Sequence, residues 1–208
     1  MTDLLVDGPD DAPATAVLAH GAGAGMEHAF LAEVARGLAA AGLRVVRFEF
    51  PYMAARRAGR RPGPDRLPAL QQAMREVVAS RRRLRPGPIA LMGKSMGGRV
   101  ATTIADDVDA LCVVVFGYPF HPPKQPERLR TEHLARLRTP TLVLQGERDP
   151  FGTRDEVAGY ALSDAIEIAW LADGDHSLKP RKKSGHTEAE HRAAAVTRAA
   201  AFVRARLR

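Results

Sequence analysis

The sequence predicts an α/β fold, a three-layer sandwich with a mostly parallel sheet, and three observations carry that expectation. Six short β-rich apolar runs alternate with longer amphipathic stretches along most of the chain. The runs are nearly continuously apolar, so both faces of each strand are covered, as in a parallel sheet between helical layers. At 208 residues the chain is long enough for one domain with a sizeable core and too short for two comfortable ones. Residues 1–208 are therefore taken as one domain, with 1–14 a leading segment that has room for a short edge strand.

The strands read as Thr15–His20, Leu43–Phe50, Pro88–Ser95, Ala110–Pro119, Pro140–Asp149 and Ala165–Asp173. Helical spacing of apolar residues marks Glu27–Ala41, Arg66–Leu84, Met96–Asp107, Thr153–Leu162 and Thr187–Leu207, the last with Thr187 as N-cap. In such sheets reactive groups gather in the loops that leave the carboxyl ends of strands. Each strand exit is therefore a place to look for chemistry.

The first strand runs into HGAGAG, residues 20–25. A dinucleotide fingerprint would need a small residue where Met26 stands, although Glu49 ends the next strand much as a ribose-binding acid would. A glycine loop whose backbone N–H groups can approach an oxyanion fits better, with Ala22 as a donor. The third strand ends in GPIALMGKSMGGRV, residues 87–100. Gly93-Lys94-Ser95 could close a P-loop, but Pro88 stands where the first glycine belongs, and Ile89–Met92 reads as buried strand. A nucleophile elbow fits every position. Gly93 and Gly97 flank Ser95 at two residues on either side, where a side chain would collide as the chain folds back. Met96, after the nucleophile, is the second oxyanion donor.

Two further exits complete the pattern. Pro140–Asp149 ends on Asp149, and Ala165–Asp173 leads into Gly174-Asp175-His176. A turn aspartate and a loop histidine are each unremarkable alone. Ser95, Asp149 and His176 nevertheless occur in the chain order that a nucleophile, its orienting acid and its base take on this kind of sheet. Other residues at strand exits, Tyr52, Met53, Tyr118, Phe120, His121 and Phe151, are candidates to shape a substrate pocket.

The segments VLAHGAGAGM, FEFPYM, GKSMGGR, FGYPFHPP, LVLQGERDPFG and DGDHSLKPRKKSG resemble those of small, lidless, dienelactone-hydrolase-like α/β hydrolases. The resemblance extends to the testis-expressed α/β-hydrolase-like proteins and their bacterial relatives, over roughly residues 15–205. It implies an α/β-hydrolase fold without a lid domain and a Ser95–His176–Asp149 triad, and it supplies no substrate. Only about twenty residues, Phe120–Thr139, lie where larger relatives insert a lid. An open, shallow site suits a small or extended ester, thioester or amide better than a long lipid chain. The expectation is a serine hydrolase of carboxylesterase or thioesterase type. Its rival is a hydrolase-like module that binds an acidic partner and leaves the triad idle.

Charge and composition narrow the remaining classes. Thirty-one basic against 24 acidic residues give a formal charge of +7, but only five of the basic residues are lysine. Most of the arginines read as solvated, no nucleic-acid motif is visible, and nucleic acid is not the expected partner. Arg56, Arg57, Arg60 and Arg61, Lys94, and Lys179, Arg181, Lys182 and Lys183 fall near the active edge, which leaves an anionic acyl substrate open. Lys94 should diverge from Ser95 and keep an ordinary charge, because an open site lacks the dryness that depresses a lysine. Neither a cofactor nor a metal is expected. The acidic start has no basic segment ahead of an apolar one, no membrane span is apparent, and a cytoplasmic location is expected. Cys112, the single cysteine, reads as a buried strand residue.

Overall fold

The computed structural model describes residues 3–207. Seven strands form one sheet: β1 (Leu4–Asp7), β2 (Thr15–Ala19), β3 (Arg44–Phe48), β4 (Ile89–Lys94), β5 (Cys112–Phe116), β6 (Thr141–Gly146) and β7 (Ile166–Leu171). Their order is β1-β3-β2-β4-β5-β6-β7, with only the β1–β3 pair antiparallel. The six helices are α1 (Ala29–Ala40), α2 (Pro51–Arg57), α3 (Leu67–Leu84), α4 (Met96–Ile104), α5 (Arg154–Val157) and α6 (Glu188–Arg204). This is the mostly parallel three-layer sandwich that the sequence predicts. The leading segment supplies the edge strand β1.

Period-two packing explains the layers. Val17, Val46, Leu91, Val113 and Val115 point into one core, covered by α3 and α4. Ala16, Leu18, Val45, Ala90, Met92 and Val114 point into the other, covered by α1 and α6. Cys112 is buried in the second core, where burial pushes its thiol up to about 12. The capping box at Thr187 and Glu190 starts α6 where the sequence places its N-cap.

Two expectations change and one holds. Residues 51–57 form α2, begun by Pro51 at the first helical position, in a stretch where the sequence reading places no helix. The helix expected over Thr153–Leu162 shortens to one turn, capped by Thr153. Between β5 and β6 there is only a short 3-10 turn, Leu134–Arg136, and no lid domain. No helix of the described residues is long and apolar enough to cross a membrane.

Candidate active site

Ser95 stands at the turn from β4 into α4 with φ 51° and ψ −114°. A side chain at positive φ is strained, and here the strain comes from the sharp reversal of the chain. The flanking glycines make that reversal possible. A Cβ on Gly93 would lie 2.3 Å from the carbonyl carbon of Gly97 and from the amide nitrogen of Gly98. On Gly97 it would lie 2.6 Å from the carbonyl oxygen of His20, at the end of β2. Both obstacles are backbone, so neither can step aside.

The three side chains selected from the sequence meet. His176 Nε2 lies 2.8 Å from Ser95 Oγ, and its Nδ1 lies 2.7 Å from Asp149 Oδ2. A neutral imidazole with its proton on Nδ1 satisfies both contacts, donating to the carboxylate and accepting from the hydroxyl. Asp149 is fully buried, and its oxygens also accept from Phe151 N–H and Gln145 Nε2, each at 2.9 Å. His176 is carried on a loop tightened by Asp175, whose Oδ1 accepts the N–H groups of Ser177 and Lys179. Burial lowers the His176 pKa, its hydrogen bond to the Asp149 carboxylate opposes that, and the Lys94 charge lowers it further. The imidazole is therefore neutral at neutral pH and free to take a proton.

The glycine loop is fixed from behind. His20 is buried and held neutral by that burial. Its Nδ1–H donates to Gly21 O at 2.7 Å, and its Nε2 accepts Phe50 N–H at 3.0 Å. The Tyr52 hydroxyl donates to Ala22 O at 3.0 Å and reaches Gly21 O at 3.3 Å. A planar trans peptide sets N–H opposite C=O, so holding Gly21 O turns the Ala22 N–H away from His20 and Tyr52. The loop passes close to the serine: a Cβ on Gly21 would sit 3.7 Å from Ser95 Cβ. Met96 N–H, in the first turn of α4, has no intrahelical acceptor. Ala22 and Met96, selected from the sequence, both line a cavity beside Ser95.

Lys94 departs from its expectation. Its side chain lies beneath the histidine loop, and Nζ donates to the carbonyl of His176 at 2.7 Å. Burial lowers its pKa to about 8, although Asp149 and Asp175 pull the other way. Dryness here comes from the folded loop rather than from a lid. Three members of the other basic clusters form ion pairs: Arg57 with Asp3 and Glu49, Arg181 with Asp173, and Lys179 with Glu188. Glu49, the residue a ribose-binding reading would use, also accepts Met26 N–H at 3.4 Å.

Two cavities flank Ser95, and Ala22 and Phe151 border both. One, of about 290 Å³, is lined by Lys94, His176, Ser177, His28 and Phe30; the other, of about 340 Å³, by Met96, Arg99, Arg130, Asp65 and Leu70. Phe151 packs its ring 4.2 Å from the His176 ring. The remaining pocket candidates stand elsewhere. Tyr52 and Met53 are buried in α2, Tyr52 reaching the site only through the loop carbonyls. Tyr118, Phe120 and His121 are buried beneath the surface, because the segment after β5 turns inward. Tyr118 donates to Arg130 O, and Phe120 stacks between Tyr118 and Tyr160. His121 faces Glu156 at 3.6 Å. Sequence reading missed Arg99, Arg130, Asp65 and His28. Arg99 alone left a signal, being one helical turn after Ser95 on the same face.

The fold and this arrangement define an α/β-hydrolase-type protein without a lid. A family model described as an alpha/beta hydrolase domain matches residues 12–204, and the chain belongs to that family. Among solved structures, a lidless α/β serine hydrolase from Xanthomonas campestris is 22% identical with a TM-score of 0.71, over 93% of this chain and 86% of its own. An α/β serine hydrolase homologue from Coxiella burnetii is 18% identical with a TM-score of 0.73, over 95% and 91%. The esterase domain of a Rhodothermus marinus protein is 16% identical with a TM-score of 0.70, over 99% and 98%. At these identities the likeness concerns the fold. Among the described residues, no group of three or more side chains could hold a metal ion.

Proposed function

We infer that the protein is a serine hydrolase that cleaves a carboxylic ester or thioester by way of an acyl-enzyme. One observation carries this reading: a continuous hydrogen-bonded chain from buried Asp149 through His176 to Ser95 Oγ, on a strained strand-to-helix turn. Serine is a weak nucleophile until a base takes its proton. His176 Nε2 takes that proton as Oγ attacks the carbonyl carbon. The Ala22 and Met96 N–H groups receive the developing oxyanion, each donor of this kind being worth about 10²–10³ in rate. The tetrahedral adduct collapses, and the bond to the leaving group breaks as His176 returns the proton to it. Water then attacks the acyl-serine with the same base, releasing the acid and regenerating Ser95. Asp149 holds the imidazole in the required tautomer and steadies its charged form.

The finer likeness to dienelactone-hydrolase-like and testis-expressed proteins rests on the motif segments around Ser95 and His176 and names no substrate. Two open cavities favour a compact acyl compound over a long lipid. The test is covalent labelling. A fluorophosphonate probe should modify the wild-type protein and leave Ser95→Ala unmodified. A well-folded wild type that resists the probe would sink the reading.

A further inference from the structure

The cavity on the side of Ser95 away from His176 carries charge that the reaction does not use. Arg99 and Arg130 line it, both half-buried, and Arg99 Nε is shut off from solvent with no hydrogen-bond partner among the described residues. The two guanidinium groups are near enough to disfavour each other, and burial lowers the Arg130 pKa along with Arg99. No carboxylate of the described residues forms an ion pair with either. Like charges gathered in a half-buried cavity without an ion-pair partner are costly, and a bound anion would offset that cost.

The cavity also says what kind of anion. Asp65 lines it too, its Oδ2 occupied by Tyr52 N–H at 2.9 Å, so two arginines less one aspartate leave a formal charge of +1. That matches a carboxylate better than a phosphate dianion. On their other side the two arginines border a shallow depression with Glu127 and Arg128, whose charges offset. The same cavity has apolar lining from Leu67, Leu70 and Val100. Arg99 stands one helical turn beyond Ser95 in the sequence, about 6 Å further along the axis of α4 at the backbone.

We propose that this cavity is a carboxylate-recognising acyl subsite, and that the substrate is an ester or thioester of a dicarboxylic acid whose free carboxylate is held by Arg99 and Arg130. The proposal rests on the serine hydrolase reading. The acyl arm belongs here because the leaving group must take its proton from His176, which lines the opposite cavity and not this one. Two planar guanidinium forks suit a carboxylate geometrically, and the apolar wall takes the chain between the two ends.

The test compares the mono-p-nitrophenyl ester of adipic acid with p-nitrophenyl hexanoate, which has the same chain length without the charge. Wild type should favour the acidic ester in kcat/KM by about tenfold or more, mainly through KM, and added salt should narrow the gap. Arg99→Gln and Arg130→Gln should each remove most of that preference, and Arg99→Lys should keep part of it. Free adipate should inhibit hexanoate hydrolysis more strongly than inorganic phosphate does. Fluorophosphonate labelling of Ser95 in every variant certifies an assembled site. No preference in wild type, equal loss on both esters in the variants, or stronger inhibition by phosphate would overturn the subsite while leaving a labelled, active hydrolase intact. An unlabelled wild type that cleaves neither ester would overturn the hydrolase reading and the subsite with it.

Discussion

The two sides of Ser95 treat charge in opposite ways. On the His176 side the charged groups have partners: Asp149 has His176, Gln145 and the Phe151 amide, the Lys94 ammonium has the His176 carbonyl, and Arg192 pairs with Glu33 and Glu188. On the other side Arg99 and Arg130 face a cavity without an ion-pair partner among the described residues. Groups that must hold one geometry through a reaction are tied down. Groups that await a ligand are left open, and the protein bears the cost until the ligand arrives. The contrast yields a rule for experiment: changes on the tied side should slow acidic and neutral esters alike, whereas changes on the open side should separate them.

The largest effect should come from His176→Ala. With no base for the serine and no acid for the leaving group, kcat should fall by about 10⁶ on both esters, as happens when a triad base is removed elsewhere. Residual turnover near wild type would break the comparison at its root. Asp149→Asn should come next, at about 10⁴ in kcat, because an amide cannot hold the Nδ1–H tautomer as a carboxylate does. A loss confined to KM would instead assign Asp149 to substrate binding.

Lys94→Met should have a smaller effect with a distinct signature. Its ammonium lowers the pKa of His176. The base works only when neutral, so removing the positive charge raises that pKa and moves the acid limb of kcat/KM to higher pH. At a fixed pH below the new midpoint both esters should slow by a similar factor. A selective loss of the acidic ester would move Lys94 to the open side, and a limb that shifts to lower pH would refute the assigned sign.

The comparison also separates what a sequence discloses from what it hides. Ser95, Asp149 and His176 were legible because each requirement is local: a glycine-flanked turn, an acid ending an apolar strand, a histidine in the next exit. The parallel sheet was legible for the same reason, since burial on both faces is written into each strand. Helix α2 was not, because its 7 residues, opened by Pro51 directly after a strand, are too few to show a helical apolar period. Tyr118, Phe120 and His121 were placed at the pocket by their position after β5, yet the direction in which the following segment turns is set by contacts with Gln145, Tyr160 and Glu156. Arg130 lies far in sequence from Arg99, and only the fold brings them together. The depressed pKa of Lys94 was not legible, because its dryness is made by the distant His176 loop.

The smallest of these effects should come from Tyr52→Phe, which tests the tied side at its edge. The phenol touches no reacting group; it holds the carbonyls of Gly21 and Ala22, at 3.3 and 3.0 Å. His20 Nδ1–H still grips Gly21 O at 2.7 Å in the variant, so the peptide should lose one restraint of two. Removing an oxyanion donor outright costs about 10²–10³. Loosening one that remains in place should therefore cost less, about threefold to tenfold in kcat with KM little changed. On the proposed mechanism Ala22 serves the carbonyl and not the acyl tail, so the loss should be equal for the adipate and hexanoate esters. Unequal loss would mean that Tyr52, through Asp65 at its own amide, acts on the open side instead, and the boundary between the two sides would have to be redrawn through α2.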